Sequence, residues 1–327
     1  MRDVTGASMR AALLDEAGAA GALRIGEAPL PHRINSELLI RVSAASVNPI
    51  DVKTGAGRGT YAAIERFPAV LGHDFSGVVV ESPYSAHPLQ PGDDVFGMVM
   101  TPRFSGSFAE YVSVPSMSVA RKPKTLSPLE AAGVPLAALT AWGMVVEVAR
   151  AHEGQRMLIH AGSGGVGHFA VQFASYFGAR VITTARAENR SWLRTLGASE
   201  VIDYSTTRFE EAVSEVDVVI DLIGNVVDET GRRSLRVLRP GGLLVNAPSG
   251  SWPTLAEDAR AAGVRATEYK VSPDGTTLAV IARLLDFGTV HVHIDKIFSL
   301  ENIADAHRAV ATGHTRGKVV LQIADAS

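Results

Sequence analysis

Three glycines carry the clearest chemistry in this chain of 327 residues. Gly162, Gly164 and Gly167 are spaced G-x-G-x-x-G. They follow the apolar run Arg156-Met-Leu-Ile-His160 and precede Phe169, Ala170, Phe173, Ala174 and Phe177, which recur at helical spacing until Gly178. A strand that runs through such a turn into a helix suits a pyrophosphate. The first glycine permits the tight turn, the second lets backbone N–H groups approach the phosphates, and the third lets helix and strand pack closely. Ser163, Gly165 and Val166 complete the turn. The phosphates would sit at the helix N-terminus, where unpaired N–H groups and the helix dipole favour negative charge. Arg180-Val-Ile-Thr-Thr184 reads as a second strand, so the unit is βαβ. The pattern points to a nicotinamide dinucleotide; a βαβ turn that holds no nucleotide is the alternative.

The end of that second strand bears on which dinucleotide. A site for NADH usually places Asp or Glu about 20 residues past the glycines, to hold the ribose 2′-OH. Here the strand ends Thr183-Thr184-Ala185-Arg186, with no acid at its end and a cation just beyond. A guanidinium pairs well with a 2′-phosphate, so NADPH is expected. Glu188 is the rival acid, expected to lie already in the next helix. A solvated turn arginine is the alternative for Arg186.

Bulk composition removes other chemistries. With no cysteine, the chain has no disulfide, no cysteine nucleophile and no thiolate-ligated zinc. A net charge of −3 gives no electrostatic case for nucleic acid or an anionic membrane. No apolar run approaches the roughly 18 residues that span a bilayer, and the first residues lack a signal-peptide core. A cytoplasmic protein is expected. Hydrophobic residues make up 46% and charged residues 20%, an ordinary balance for a globular protein of two domains.

The elements that must position these residues fall into two textures. Residues 1–8 are small and polar and read as a disordered extension before a strand beginning at Met9. Residues 9–125 are rich in strands and turns, with strands expected at Leu38–Ala44, Phe75–Val80, Asp94–Met100 and Phe108–Val114 and few helical periods. Ser127-Pro-Leu-Glu130 then starts a helix, and an alanine-rich helical region runs through Arg150. From residue 156 strands and helices alternate. Strands are expected at Met157–His160, Val181–Thr184, Val201–Tyr204, Val216–Ile223, Gly242–Ala247 and Val264–Tyr269, as in a doubly wound parallel sheet. Gly224 lies where the fourth of these ends, on the carboxyl edge where ligands sit. The tail gives a helix (Thr276–Phe287), a strand (His291–Phe298), a helix capped by Ser299 (Leu300–Ala311) and a strand (Lys318–Ile323), and it is expected to return to the first domain.

Several segments, in order, resemble a known family. They are Val47-Asn-Pro-Ile-Asp51, Leu71-Gly-His-Asp-Phe-Ser-Gly77, Pro91-Gly-Asp-Asp-Val-Phe-Gly97, Gly106-Ser-Phe-Ala-Glu-Tyr111, Leu139-Thr-Ala141, the glycine turn, Leu196-Gly-Ala-Ser-Glu-Val-Ile-Asp-Tyr204, Arg239-Pro-Gly-Gly242 and Gly317-Lys-Val-Val320. The set resembles the medium-chain dehydrogenase/reductase superfamily, and within it the zinc-free quinone oxidoreductase-like branch that includes zeta-crystallin and the alkenal reductases. The resemblance implies an α/β chain with a GroES-like catalytic domain (1–131 and 286–327), a Rossmann domain (132–285), NADPH as cofactor and a homodimer. It also implies hydride transfer to a small electrophilic acceptor, a quinone or an α,β-unsaturated carbonyl. A 2-enoyl thioester reductase is the alternative among enzymes. An NADPH-binding sensor or structural protein is the alternative outside them.

The resemblance also assigns residues. Zinc members of the superfamily hold their metal with Cys, His and Cys. Here Asn48 stands for the first cysteine and His73 remains alone, so no metal site is expected. Asn48, Asp51 and Lys53 are the catalytic set at the domain cleft. Asn48 is expected to hydrogen-bond near the nicotinamide. Asp51 is read as catalytic or, since Asn-Pro-x-Asp forms turns, as a brace. Lys53 is read as steadying the negative oxygen that develops on the acceptor, or as a surface lysine. Thr140 resembles the threonine that contacts the nicotinamide, with a helix hydroxyl bonded to its own backbone as the alternative. Tyr204 matches a position beside the 2′-phosphate, with Arg186 and Asn189 as companions. Tyr61, Phe67, Phe104 and Trp142 are candidates for an apolar substrate slot, or plain packing residues.

Overall fold

The computed structural model describes residues 8–18, 22–102 and 105–324. The chain divides into two compact units, one of residues 1–136 with 272–327 and one of residues 137–271.

The first unit is built on Glu37–Val47, an eleven-residue strand whose apolar run is almost wholly buried. A strand covered on both faces needs hydrophobic residues at successive positions, and this one has them. Asp74–Glu81 and Lys318–Gln322 pair with it antiparallel on either side. The sheet continues through Asp94–Met98 to Val119–Arg121 on one flank and ends at Ile294–Ser299 on the other. Tyr111–Pro115 also pairs with the start of the central strand. Ser8–Leu14 joins Arg24–Pro29 and Ala69–Val70 in a smaller sheet. Phe75, Phe108, Leu38, Ile40 and Val42 fill the core between these strands, with Leu300 and Ile303 from the tail. The tail does complete this sheet, as its alternating strand and helix pattern suggests.

The second unit is a parallel six-stranded sheet. Its order is Glu200–Asp203, Arg180–Ala185, Arg156–Ile159, Val216–Asp221, Leu238–Asn246, Arg265–Glu268. The chain runs outward from the middle strand in one direction and then in the other, which is the doubly wound arrangement. The fold class is therefore the expected one, a β-rich GroES-like unit with a Rossmann unit.

Several local expectations differ. Ser8 opens the first strand and does not belong to an unordered extension; residues 1–7 lie outside the described residues. Asn48-Pro49, read as a turn, begins a helix, Pro49–Gly55, with proline in its first turn, where a missing N–H costs nothing. The helical region after Ser127 is broken into Pro128–Ala132, Pro135–Trp142 and a wide π-turn over Gly143–Val148. The compact units divide at Leu136 and Ser272, so the helix Gly275–Asp286 sits with the β-rich unit, whereas the sequence put the boundary near 286. Asp274 caps that helix, accepting from the N–H groups of Thr276 and Thr277. Gly275 packs so closely that a Cβ there would lie 2.4 Å from the Val119 carbonyl. Asp286 at its other end accepts from Thr125 N and Oγ1 at 3.0 Å.

Candidate active site

The glycine turn has three glycines with two different reasons. A Cβ on Gly162 would come within 2.0 Å of Thr183 Oγ1, and one on Gly167 within 2.1 Å of the Ala161 carbonyl. Both are fixed by packing inside the unit. Around Gly164 the only atom within 4 Å of such a Cβ is the Ala161 carbonyl, at 3.3 Å. The protein itself makes a weaker demand for glycine there, as expected where a ligand backbone approaches. The helix Gly167–Tyr176 begins at Val166 with no side-chain cap, and His168 N in its first turn donates to the Gly164 carbonyl at 3.1 Å. The turn Ser163–Val166 is partly exposed.

Two buried acceptors lie at the carboxyl edge of the same sheet. Asp221 and Asn246 are register partners at the ends of neighbouring strands. Asp221 Oδ1 accepts from Ile223 N and Gly224 N at 2.9 Å. Among the described residues, Asp221 Oδ2 and Asn246 Oδ1 have no hydrogen-bond partner although both are buried. Burial raises the Asp221 carboxyl above its ordinary range, against the two N–H groups that lower it. Orphaned polar atoms at this edge fit a polar ligand. Gly224 itself has φ +76° and would meet Ser251 Oγ at 2.2 Å with a Cβ.

The residues proposed around the adenosine phosphate come together. Ala185 and Asp203 end adjacent strands in register, and Arg186 and Tyr204 follow them. Arg186 Nε donates to the Tyr204 hydroxyl at 3.2 Å, with Arg186 exposed and Tyr204 half exposed. Asn189 closes the short turn Ala187–Asn189 and is buried. The sequence reading overlooked Asp203. Its carboxylate accepts from Ser205 N and Oγ, and hydrogen bonds from the Ser205 side chain and backbone hold it below the usual range, with Ala187 N also contributing. It is thus tied into its own turn. Glu188 is exposed in the Ala187–Asn189 turn.

Thr140 is buried on the helix Pro135–Trp142. Trp142 packs edge-on against Phe173 and Phe177, with ring centroids 5.3 and 6.0 Å apart, so it serves helix packing. Tyr61 and Phe67 contact each other at 5.7 Å in the β-rich unit. Phe104 lies outside the described residues.

In the β-rich unit the expected catalytic set sits on a buried polar network. Asn48 is 2% exposed and its amide is directed inward. Its Nδ2 donates to Asp74 Oδ2 at 2.9 Å, and its Oδ1 accepts from Lys318 Nζ at 2.5 Å. Asp74 also accepts from Ser46 Oγ at 2.6 Å and Leu136 N at 2.7 Å. Asp51 is fully buried; it accepts from Asn48 N at 2.8 Å and pairs with His73 Nδ1 at 2.6 Å. This is the geometry of a brace. His73 Nε2 lies 3.0 Å from Thr101 Oγ1. Burial opposes the charge on His73, but Asp51 and then Asp74 outweigh it, and its pKa rises above the ordinary histidine value. Two buried carboxylates are thereby balanced by Lys318 and His73. Sequence reasoning gave no role to Ser46, Asp74 or Lys318.

Lys53 lies in the last turn of Pro49–Gly55 and is half buried. Among the described residues no carboxylate stands within ion-pair distance of it. Burial, and then the neighbouring Arg58, lower its pKa below the ordinary lysine value.

Among the described residues no group of three or more His, Asp and Glu side chains is placed to hold a metal ion. Both ring nitrogens of His73 are engaged, and an amine faces the Asn48 oxygen, so these residues do not fit a zinc ion. No helix of the described residues is long and apolar enough to cross a membrane.

His160, at the end of the middle strand, illustrates how tightly the second unit is closed. Its Nδ1 lies 3.1 Å from Thr184 Oγ1 and its Nε2 2.9 Å from Ser234 Oγ. Burial, and then Arg233, push its pKa down to about 3. The folded state thus keeps this ring neutral where the unfolded chain would protonate it. Its contribution is intact above pH 6.5 and is lost as pH falls toward about 3. Each pH unit in that window costs about 1.4 kcal/mol. Urea midpoints at pH 7 and pH 4 should therefore diverge less in His160→Asn than in the unsubstituted protein. An equal divergence would remove His160 from the acid response.

Residues 35–124 match the family model described as alcohol dehydrogenase GroES-like domain, and residues 196–321 match zinc-binding dehydrogenase. The chain is 31% identical to the NAD(P)H oxidoreductase RTN4IP1, mitochondrial, of Danio rerio, over 90% of this chain and 85% of the relative. It is 32% identical to the NADPH-dependent alkenal/one oxidoreductase, chloroplastic, of Arabidopsis thaliana, over 89% of this chain and 73% of that protein. Among solved structures, the quinone oxidoreductase from Coxiella burnetii superposes with a TM-score of 0.91 at 35% identity, covering 97% of this chain and 100% of that one. The chain belongs to the medium-chain dehydrogenase/reductase superfamily, in its quinone oxidoreductase-like branch. It is an oxidoreductase that works with a nicotinamide cofactor.

Proposed function

We propose that this protein uses NADPH to reduce a quinone or an α,β-unsaturated carbonyl, without zinc. The observation that carries the acceptor reading is Lys53, a half-buried cation free of any carboxylate among the described residues, on the short helix that Asn48 begins. The relatives named for alkenal/one and quinone reduction support the same class. Bound NADPH would supply the hydride. The glycine turn and the uncapped helix start would hold its pyrophosphate, and Arg186 with Tyr204 its 2′-phosphate. Lys53 steadies the negative oxygen that develops as hydride reaches the acceptor carbon, and its lowered pKa eases proton delivery to that oxygen. Asn48 and Asp51 hold the helix that carries it. A homodimer belongs to the same proposal and rests on family resemblance; a cytoplasmic location belongs to it too and rests on the sequence reading alone.

Mixing protein and NADPH with a quinone, a simple enone or a crotonyl thioester, and following nicotinamide absorbance, tests the reading. Turnover is expected with the first two and is weaker with the thioester. No oxidation with any of the three overturns the proposal. Lys53→Met should lower kcat roughly 10- to 100-fold, as expected for loss of one oxyanion donor, with NADPH affinity unchanged. An unchanged kcat would make Lys53 a surface lysine.

A further inference from the structure

Lys318 is 3% exposed and stands at the start of the strand Lys318–Gln322. Its placement is set by the residue before it. Gly317 has φ +74°, and a Cβ there would lie 2.3 Å from the His293 carbonyl, which accepts from Lys318 N at 2.9 Å. Val319 is opposite Val47 in the antiparallel pair, so one step further along the register Lys318 is opposite Asn48. On the other side of the central strand Asp74 is opposite Ser46. The register therefore brings a cation and a carboxylate to the same amide from two sides.

That amide has only one orientation compatible with both neighbours. Lysine Nζ only donates, and it faces Asn48 Oδ1 at 2.5 Å. An ionised carboxylate only accepts, and it faces Asn48 Nδ2 at 2.9 Å. Rotating the amide by half a turn would set N–H against N–H and oxygen against oxygen. Lys318 also reaches Asp74 Oδ2 at 3.4 Å, which closes the triangle.

We infer that Lys318 is a positioning residue for the reaction, fixing the Asn48 amide, and with it the start of the Pro49–Gly55 helix, from a strand 270 residues away in the chain. The kinetic consequence rests on the function proposed above; the structural one does not.

A double-mutant cycle between Lys318→Met and Asn48→Leu tests it. With the quinone or enone that the wild type turns over, each single variant is expected to lose about tenfold or more in kcat, the size of one charge-assisted hydrogen bond. NADPH affinity should stay within about threefold, and the double variant should lose no more than the worse single one. Additive losses, or an unchanged kcat in Lys318→Met, overturn the inference. If Asp74 left alone prevents folding, Lys318→Met/Asp74→Asn removes both charges and is expected to show the same kcat loss. A readout without any acceptor separates this inference from the proposed reaction. The Asn48 side-chain amide, assigned by its disappearance in Asn48→Leu, should be a protected pair of NMR signals in the wild type and exchange rapidly with solvent in Lys318→Met. Equal protection in both proteins overturns the inference even where no acceptor is turned over.

Discussion

Replacing Arg186 by alanine is expected to raise the Kd for NADPH by roughly 10- to 100-fold, the range of one or two hydrogen bonds to a charged group, and to leave the Kd for NADH nearly unchanged. The reason lies in the ends of two adjacent strands. Arg186 Nε and the Tyr204 hydroxyl lie side by side, 3.2 Å apart, and Asp203, which ends one of the two strands, is tied to Ser205 and Ala187. On the proposed reading a 2′-phosphate would meet a guanidinium and a phenol, and Glu188, exposed in the Ala187–Asn189 turn, is the one rival acid for a ribose 2′-OH among the described residues of these two strand ends. Because Arg186 is exposed, the NADPH advantage should shrink as salt rises. Titration by nicotinamide fluorescence with both cofactors checks it. Equal affinities for NADPH and NADH in the unsubstituted protein would end the argument.

The second large effect separates two glycines of one motif. Gly167→Ala puts a methyl group 2.1 Å from the Ala161 carbonyl and 2.8 Å from the Gly162 Cα. Both are backbone atoms that cannot rotate aside, so the helix start must move. A loss of about 1–3 kcal/mol of stability is expected, together with nearly all cofactor binding. In Gly164→Ala the nearest atom is 3.3 Å away and small adjustments suffice. That variant should melt close to the wild type yet, on the proposed reading, bind NADPH at least about tenfold more weakly, because the methyl group would stand where backbone N–H groups are proposed to meet the phosphates. Thermal melts with and without NADPH distinguish the two. Comparable melting temperatures and comparable affinities for both variants would deny the division of labour.

Much of the second unit is legible from sequence because a parallel sheet covered on both faces needs uninterrupted apolar runs. Met157, Leu158 and Ile159, or Val218, Val219 and Ile220, are such runs, all buried. The β-rich unit is harder. Arg24–Pro29 and Val119–Arg121 carry too few apolar residues to announce themselves, since their pairing comes from neighbours remote in sequence. The helix Pro49–Gly55 was hidden because Asn-Pro-x-Asp is also a turn sequence, and only the fold decides which it becomes. Of the candidate site, the glycines and Arg186 follow from local pattern. Lys318 does not. A charged residue at the mouth of a strand ordinarily reads as its solvent end; the segment Gly317-Lys-Val-Val320 marks the place, but the conformation of Gly317 that turns Lys318 inward is not revealed by sequence.

The strand that delivers Lys318 also sets an order of assembly on the ribosome. Residues 137–271 form an uninterrupted stretch and hold the whole parallel sheet. The β-rich unit is discontinuous, and its central strand acquires one of its partners only from residues 318–322. At roughly 5–20 residues per second, the parallel-sheet unit is complete while the other unit still has an open sheet edge and Asp74 lacks Lys318. Translation must pass residue 318 before Asn48 Oδ1 gains its contact with Lys318, so a nascent chain stalled earlier carries the complete parallel sheet but an Asn48 amide held from one side only.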